Sequence, residues 1–267
     1  YSGRNIKSII SYLQSLLTNS RESMEIWAHR GRSTPSSQGN TYLDFARCNQ
    51  HGVNGIETDI CMTPDGKVII CHPGTLTPDP SKMTWRGIKQ SRLTVLSLND
   101  FLVMIRSFGN VSCTLDIKMY SIDLVREAVR AISTYHLEDR VYLTTFQRKV
   151  PQFPMETDAK LLLFAKKINP KIKTHIMAVF PANLPGLVHK YSPDAISFGW
   201  LNDPPWLALV SKNVFKATAS LVNLPSQVSY LKDRGIKVWG GIVNNHTDME
   251  YLAGLGVDGL VTDDIVA

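Results

Sequence analysis

Eight short apolar runs, separated by stretches long enough for helices, constrain the fold of this chain more than any other feature. The runs cover residues 24–28, 55–60, 112–117, 140–145, 160–164, 194–198, 237–243 and 259–262. Helix-length patterns lie between most of them, for instance 41–51, 97–108, 121–135, 225–234 and 247–255. Strands alternating with helices form parallel βαβ units, and eight such units close on themselves. The pattern therefore predicts an α/β fold, a (β/α)8 TIM barrel, as a single domain over residues 1–267. An open doubly wound sheet ranks second, because no glycine-rich phosphate loop follows the first strand.

Composition agrees with one large domain: 267 residues, 43% hydrophobic and 19% charged. Every apolar run is too short to span a bilayer, so no transmembrane segment is expected. Residues 1–23 carry an amphipathic helix pattern without the apolar core or cleavage site of a signal peptide. A signal removed before Tyr1 would leave no trace, so the compartment stays open, with the cytoplasm favoured and secretion the alternative. The sequence does not fix the oligomeric state.

The chain has 29 Lys plus Arg against 23 Asp plus Glu, a net charge of +6. Its densest basic cluster, Lys166, Lys167, Lys171 and Lys173, reads as a solvated loop. With no interleaved aromatics and no helix-turn-helix context, nucleic acid is not an expected partner. A positive field still attracts anionic substrates or a phospholipid surface. Cys48, Cys61, Cys71 and Cys113 lack metal-type spacing and fall in or beside strands, which predicts buried free thiols, a Cys61–Cys71 bridge being the alternative.

Two carboxylates stand inside the second apolar run. In a strand, Glu57 and Asp59 point to the same face, roughly 6 to 7 Å apart along the rise. Buried acids in that relation require a counter-charge. After the turn Thr63-Pro64-Asp65-Gly66, residues 67–71 form one further short run, and the resulting hairpin folds His72 back to the rim where the second strand ends. The first strand brings His29 and Arg30 to that rim, and the third brings Asp116 and Lys118, again two residues apart. The C-terminal strand ends of a barrel carry its chemistry. Three oxygen donors at one mouth suit a hard divalent cation, Mg2+ or Ca2+. Arg30 can take phosphate bidentately, and Lys118 binds a phosphate oxygen or neutralises a carboxylate.

The ordered set HRG (29–31), GIETDI (55–60), TPDGKVIICH (63–72), LDIK (115–118), VWGGIVNN (238–245) and GVDGLVTDD (256–264) resembles the glycerophosphodiester phosphodiesterase family. The resemblance implies a metal-dependent barrel that hydrolyses glycerophosphodiesters to an alcohol and glycerol phosphate. It implies His29 and His72 as the acid-base pair and Glu57, Asp59 and Asp116 as metal ligands. The spider-toxin phospholipases D are more distantly similar, which keeps a lysophospholipid or sphingolipid substrate and a cyclic phosphate product as an alternative. A catalytically silent barrel that binds phosphorylated ligands is the other alternative.

The chain departs from the family pattern at four places. Gln38-Gly39-Asn40-Thr41 replaces the usual proline, glutamate, asparagine and threonine, and Pro73 replaces the aspartate after the second histidine. Asp116 stands where glutamate is common, and the segment 73–92 is short, which implies an open mouth. Trp239 is a candidate for lining that mouth, with barrel packing the alternative, whereas Trp200 reads as packing. Asp263 and Asp264 read as local caps, with contact to substrate the alternative. His175, His189 and His246 have no acidic neighbour in a motif and enter no site. The favoured substrate is a small water-soluble diester, since no extended apolar run or amphipathic loop beside the strand ends offers an obvious membrane anchor.

Overall fold

The computed structural model describes residues 24–147, 159–178, 181–202 and 205–266. The amphipathic pattern expected over residues 1–23 lies outside the described residues. In chain order the elements are β1 (Glu25–Ala28), α1 (Tyr42–Gln50), β2 (Gly55–Met62), β3 (Val68–Ile70), α2 (Trp85–Gln90), α3 (Leu98–Ser107), β4 (Ser112–Ile117), α4 (Ile122–Thr134) and β5 (Val141–Phe146). There follow α5 (Lys160–Ile168), β6 (Lys173–Ala178), α6 (Leu184–Tyr191), β7 (Ala195–Phe198), α7 (Pro205–Leu221), α8 (Leu224–Lys232), β8 (Lys237–Gly241), α9 (His246–Gly254) and β9 (Gly259–Thr262).

Each strand from β4 to β9 pairs in parallel with the next, β2 pairs with β4, and β1 joins β9 to β2. The ring of eight parallel strands is thereby closed, and β3 lies outside it, antiparallel to β2. Ile56 and Ile60 of β2 face the helices and belong to the main core. The pleat therefore turns Glu57 and Asp59 into the barrel. Thr41, Ser97 and Ser121 cap α1, α3 and α4 by accepting from the backbone N–H three residues on. Such caps satisfy donors that a helix start leaves unpaired, which explains why these three helices begin within a residue of the sequence pattern.

One predicted strand is a helix. Residues 160–164 open α5, and the strand at that place in the ring is β6. A short run such as Lys160-Leu-Leu-Leu-Phe164 fits a buried strand or one face of a helix equally well, and leucine and lysine favour the helix. The presumed lysine loop divides accordingly. Lys166 and Lys167 end α5, where cations complement the helix dipole. Lys166 reaches Asp194 at 2.7 Å, and Lys173 opens β6 with its ammonium over the Tyr142 ring.

Trp239 does not line the mouth. It is buried inside the barrel toward the N-terminal strand ends, with its ring centroid 4.2 Å from that of Trp27 and 5.4 Å from that of Tyr142. Its indole N–H donates to Glu25 Oε2 at 3.0 Å, and that oxygen also accepts from Trp27. A buried indole N–H needs an acceptor, and the first residue of β1 supplies it. Gly55 makes room for this plug, because a Cβ there would lie 2.2 Å from the Trp27 ring. His175 joins the plug with its ring edge-on to Trp239, and burial holds its imidazole down at about 3, hence neutral. Trp200 packs between Phe215 and Tyr251, as the sequence suggests.

Candidate active site at the barrel mouth

β1 ends in a tight turn, His29–Gly31, that fixes the first histidine. Arg30 and Gly31 both have positive φ, 54° and 64°. Gly31 has no substitute there, since a Cβ would fall 2.3 Å from the Phe45 ring. The turn aims the Arg30 N–H at Glu57 Oε2, 2.7 Å away, and holds the Arg30 Nε 3.1 Å from Asp59 Oδ2.

The β2–β3 hairpin supplies the second histidine. Thr63 and Lys67 close its turn through a 2.9 Å backbone bond, and Ile60 pairs with Ile70. The Cys71 N–H then donates to the Asp59 carbonyl at 3.0 Å, so His72 arrives at the level of the acids. Its Nδ1 lies 3.0 Å from the Pro73 carbonyl. A carbonyl only accepts, which assigns the proton to Nδ1 and leaves the lone pair on Nε2. Burial, with Lys118 and Arg30 nearby, lowers the proton affinity of His72, and Asp59 opposes this only in part.

Asp59 and Asp116 face each other directly across β2 and β4. One carboxylate oxygen from each of Glu57, Asp59 and Asp116 lies within 4.8 Å of the others, and all three residues are buried. Lys118 bonds Asp116 and stands 3.0 Å from Asp59 Oδ1. Asn40 donates to Asp59 Oδ2 at 2.7 Å and, through Oδ1, accepts from Thr58.

The three acids divide according to their partners. Burial raises Asp59, but Lys118 and Arg30, helped by His72 and Asn40, outweigh it and hold the carboxyl below the ordinary range. Burial also raises Asp116, which the neighbouring acids hold at about 7 despite Lys118. Glu57 is pushed up by burial and by Asp59. Lys118 is held firmly protonated by Asp116, Asp59 and Glu57 against its own burial. Three carboxyls thus share one buried space with two cations, crowding that raises two of them, and Asp116 Oδ1 is buried without a hydrogen bond. A buried set of three carboxyl oxygen donors, one of them with an oxygen free of hydrogen bonds, fits a hard divalent cation.

The site contains residues that the motifs alone do not reveal. Asp263 is no mere local cap: its Oδ1 lies 2.7 Å from His29 Nδ1 and 3.1 Å from Arg32 Nη1, and its Oδ2 accepts from Asn244 at 3.0 Å. Burial raises Asp263, but its bonds to His29 and Asn244 and the charge of Arg32 bring it below the ordinary carboxylate range. A carboxylate on Nδ1 fixes the ring orientation and turns Nε2 inward, where it stands 3.8 Å from Glu57 Oε2. Asp264 does cap, accepting from the Val266 N–H. Asn40 is the other addition, and its hydrogen bonds show that the Gln38–Thr41 segment contributes to the site through its asparagine. All four cysteines are buried and unpaired.

The sequence profile of the glycerophosphoryl diester phosphodiesterase family matches residues 29–267. A glycerophosphodiester phosphodiesterase from Caldanaerobacter subterraneus subsp. tengcongensis is 25% identical over 89% of this chain and 93% of its own length. A glycerophosphodiester phosphodiesterase structure from Parabacteroides distasonis superposes with a TM-score of 0.69 at 16% identity, covering 91% of this chain and 93% of that one. An Oleispira antarctica phosphodiesterase, solved with the product sn-glycerol-3-phosphate, gives a TM-score of 0.63 at 18% identity over 90% of this chain and 92% of that one. The chain belongs to the glycerophosphoryl diester phosphodiesterase family.

Proposed function

We propose that the chain hydrolyses a glycerophosphodiester to an alcohol and glycerol phosphate, with His72 as the base and His29 as the acid. The observation that carries this reading is the convergence of two differently partnered imidazoles on one three-carboxylate cluster. In-line attack on phosphorus needs a proton acceptor on one side, a proton donor on the other and positive charge around the equatorial oxygens. His72 favours its neutral form and keeps the Nε2 lone pair free to take a proton from the attacking oxygen. His29, braced on Nδ1 by Asp263, offers Nε2 to the leaving oxygen. Arg30 and Lys118 are the cations placed for the phosphate. Glu57, Asp59 and Asp116 would hold the divalent cation, Mg2+ or Ca2+, which when bound supplies Lewis-acid charge to the phosphoryl group. The product bound to the Oleispira antarctica relative supports the glycerol phosphate half of the substrate.

The test is product analysis by phosphorus NMR on glycerophosphocholine, glycerophosphoethanolamine, lysophosphatidylcholine and sphingomyelin. Glycerol phosphate is expected from the glycerophosphodiesters. No turnover of any diester would leave a silent phosphate-binding barrel, and a cyclic product would make a substrate hydroxyl the nucleophile.

Dialysis against EDTA is expected to remove activity, and Mg2+ or Ca2+ to restore it, because three carboxylates without thiolate or imidazole favour a hard ion. Full turnover in a preparation shown by elemental analysis to be metal-free would overturn the assignment of the three acids.

A further inference from the structure

Helix α7 turns an apolar face to solvent. Ser211, Phe215 and Ala219, spaced by four, are the buried face. On the opposite side stand Trp206, Leu209, Val210, Val214 and Leu221, with exposures of 72%, 66%, 53%, 45% and 87%. At 3.6 residues per turn these five fall on one stripe, shared with exposed Asn213 and Ala217. A second apolar face, opposite the one packed on the barrel, is normally covered as well. The stripe also has a place: α7 follows the C-terminal end of β7, so its Trp206 end lies at the mouth of the barrel. Asn202, just before it, donates to the Ile242 carbonyl after β8 at 2.8 Å and ties the helix start to that rim.

We infer that this face docks on an anionic phospholipid surface and sets the mouth against the lipid headgroups. Charge complementarity selects that occupant. Pro205–Leu221 contains no acidic residue; of its two lysines, which border the stripe on one side, Lys212 pairs with Asp248 of α9, and Lys216, over the Tyr251 ring, is left to face an anionic surface in a chain of net charge +6. An aromatic and aliphatic stripe bordered by lysine is the composition of helices that lie in a membrane interface. Size argues against a second copy of the chain. A 17-residue helix is about 25 Å long and ~10 Å wide, roughly 250 Å2, whereas each partner in a stable dimer buries about 800 Å2. Among the described residues no helix is long and apolar enough to cross a membrane, so α7 lies on the surface rather than through it. Resting on the function proposed above, the docked enzyme would take a phosphodiester whose alkyl chain stays in the bilayer, such as a lysophospholipid. This reverses the preference for a small soluble diester, which assumed no amphipathic element at the rim.

The experiment is co-sedimentation with extruded vesicles of phosphatidylcholine alone and of phosphatidylcholine with phosphatidylglycerol at three to one. It compares the native chain with a Leu209→Glu/Val214→Glu variant whose fold is checked by circular dichroism. The native chain is expected to bind the anionic vesicles at least tenfold more tightly than the neutral ones, and the variant to lose that binding at least tenfold. The variant should hydrolyse glycerophosphocholine in solution at the native rate and lysophosphatidylcholine in anionic vesicles more slowly. Absence of native binding, or equal binding by the variant, would overturn the inference. So would light scattering showing a native dimer that the variant dissolves, because the face would then join two copies. Vesicle binding without turnover of any diester would support docking and refute the catalytic reading instead.

Discussion

His29→Ala and His72→Ala should each lower the turnover of a glycerophosphodiester by roughly 100-fold or more, with circular dichroism and melting temperature close to native. Neither imidazole is part of the hydrophobic core, so the loss would be one of proton transfer rather than of folding. The two variants should differ in pH dependence. At a divalent-cation concentration high enough to keep Asp116 ionised, burial favours neutral His72, so activity should persist as the pH falls and fail only below the ordinary imidazole value of about 6.5. That acidic limb should vanish with His72→Ala and remain with His29→Ala. Near-native turnover in either variant would remove that histidine from the mechanism.

Asp263→Asn should lower kcat by about 100-fold or more while leaving KM within a few-fold. The amide matches the carboxylate in size but lacks its charge, so it no longer stabilises the imidazolium from which His29 gives up its Nε2 proton. Arg32 and Asn244 would still hold the side chain, so the scaffold around it should survive. Asp263→Glu, which restores the charge at a slightly different reach, should recover part of the loss. An Asn variant with native kcat would reduce Asp263 to a structural role.

The local chemistry of the sequence exposed the barrel and the acid cluster, and long-range geometry concealed the rest. Glu57 and Asp59 were legible because period-2 alternation leaves two acids on a buried face, where they demand a partner. The hairpin was legible because Pro64-Asp65-Gly66 permits little except a turn. By contrast, β6 was hidden because Lys173 and His175 break its apolar run, while Leu161 to Phe164 imitate a strand from inside a helix. Asp263 read as a cap because its partner is 234 positions away, and only ring closure brings them together. Trp239 seemed suited to a mouth until Glu25, far off in sequence, claimed its N–H. The stripe on α7 escaped because Trp206 to Val210 form an unbroken apolar run that does not say which side is covered. Its meaning depends on which face the barrel leaves uncovered.

Closure of the ring also orders events at the ribosome. His29 emerges among the first of the described residues, but Asp263 and the β9 edge that pairs with β1 emerge among the last. A nascent chain stopped short of Gly259 would leave β1 with one edge unpaired and hold a first histidine without its brace. Catalytic competence would therefore mark a chain translated through β9, and partial products would be inert at the phosphate while carrying an open strand edge that chaperones and proteases can recognise.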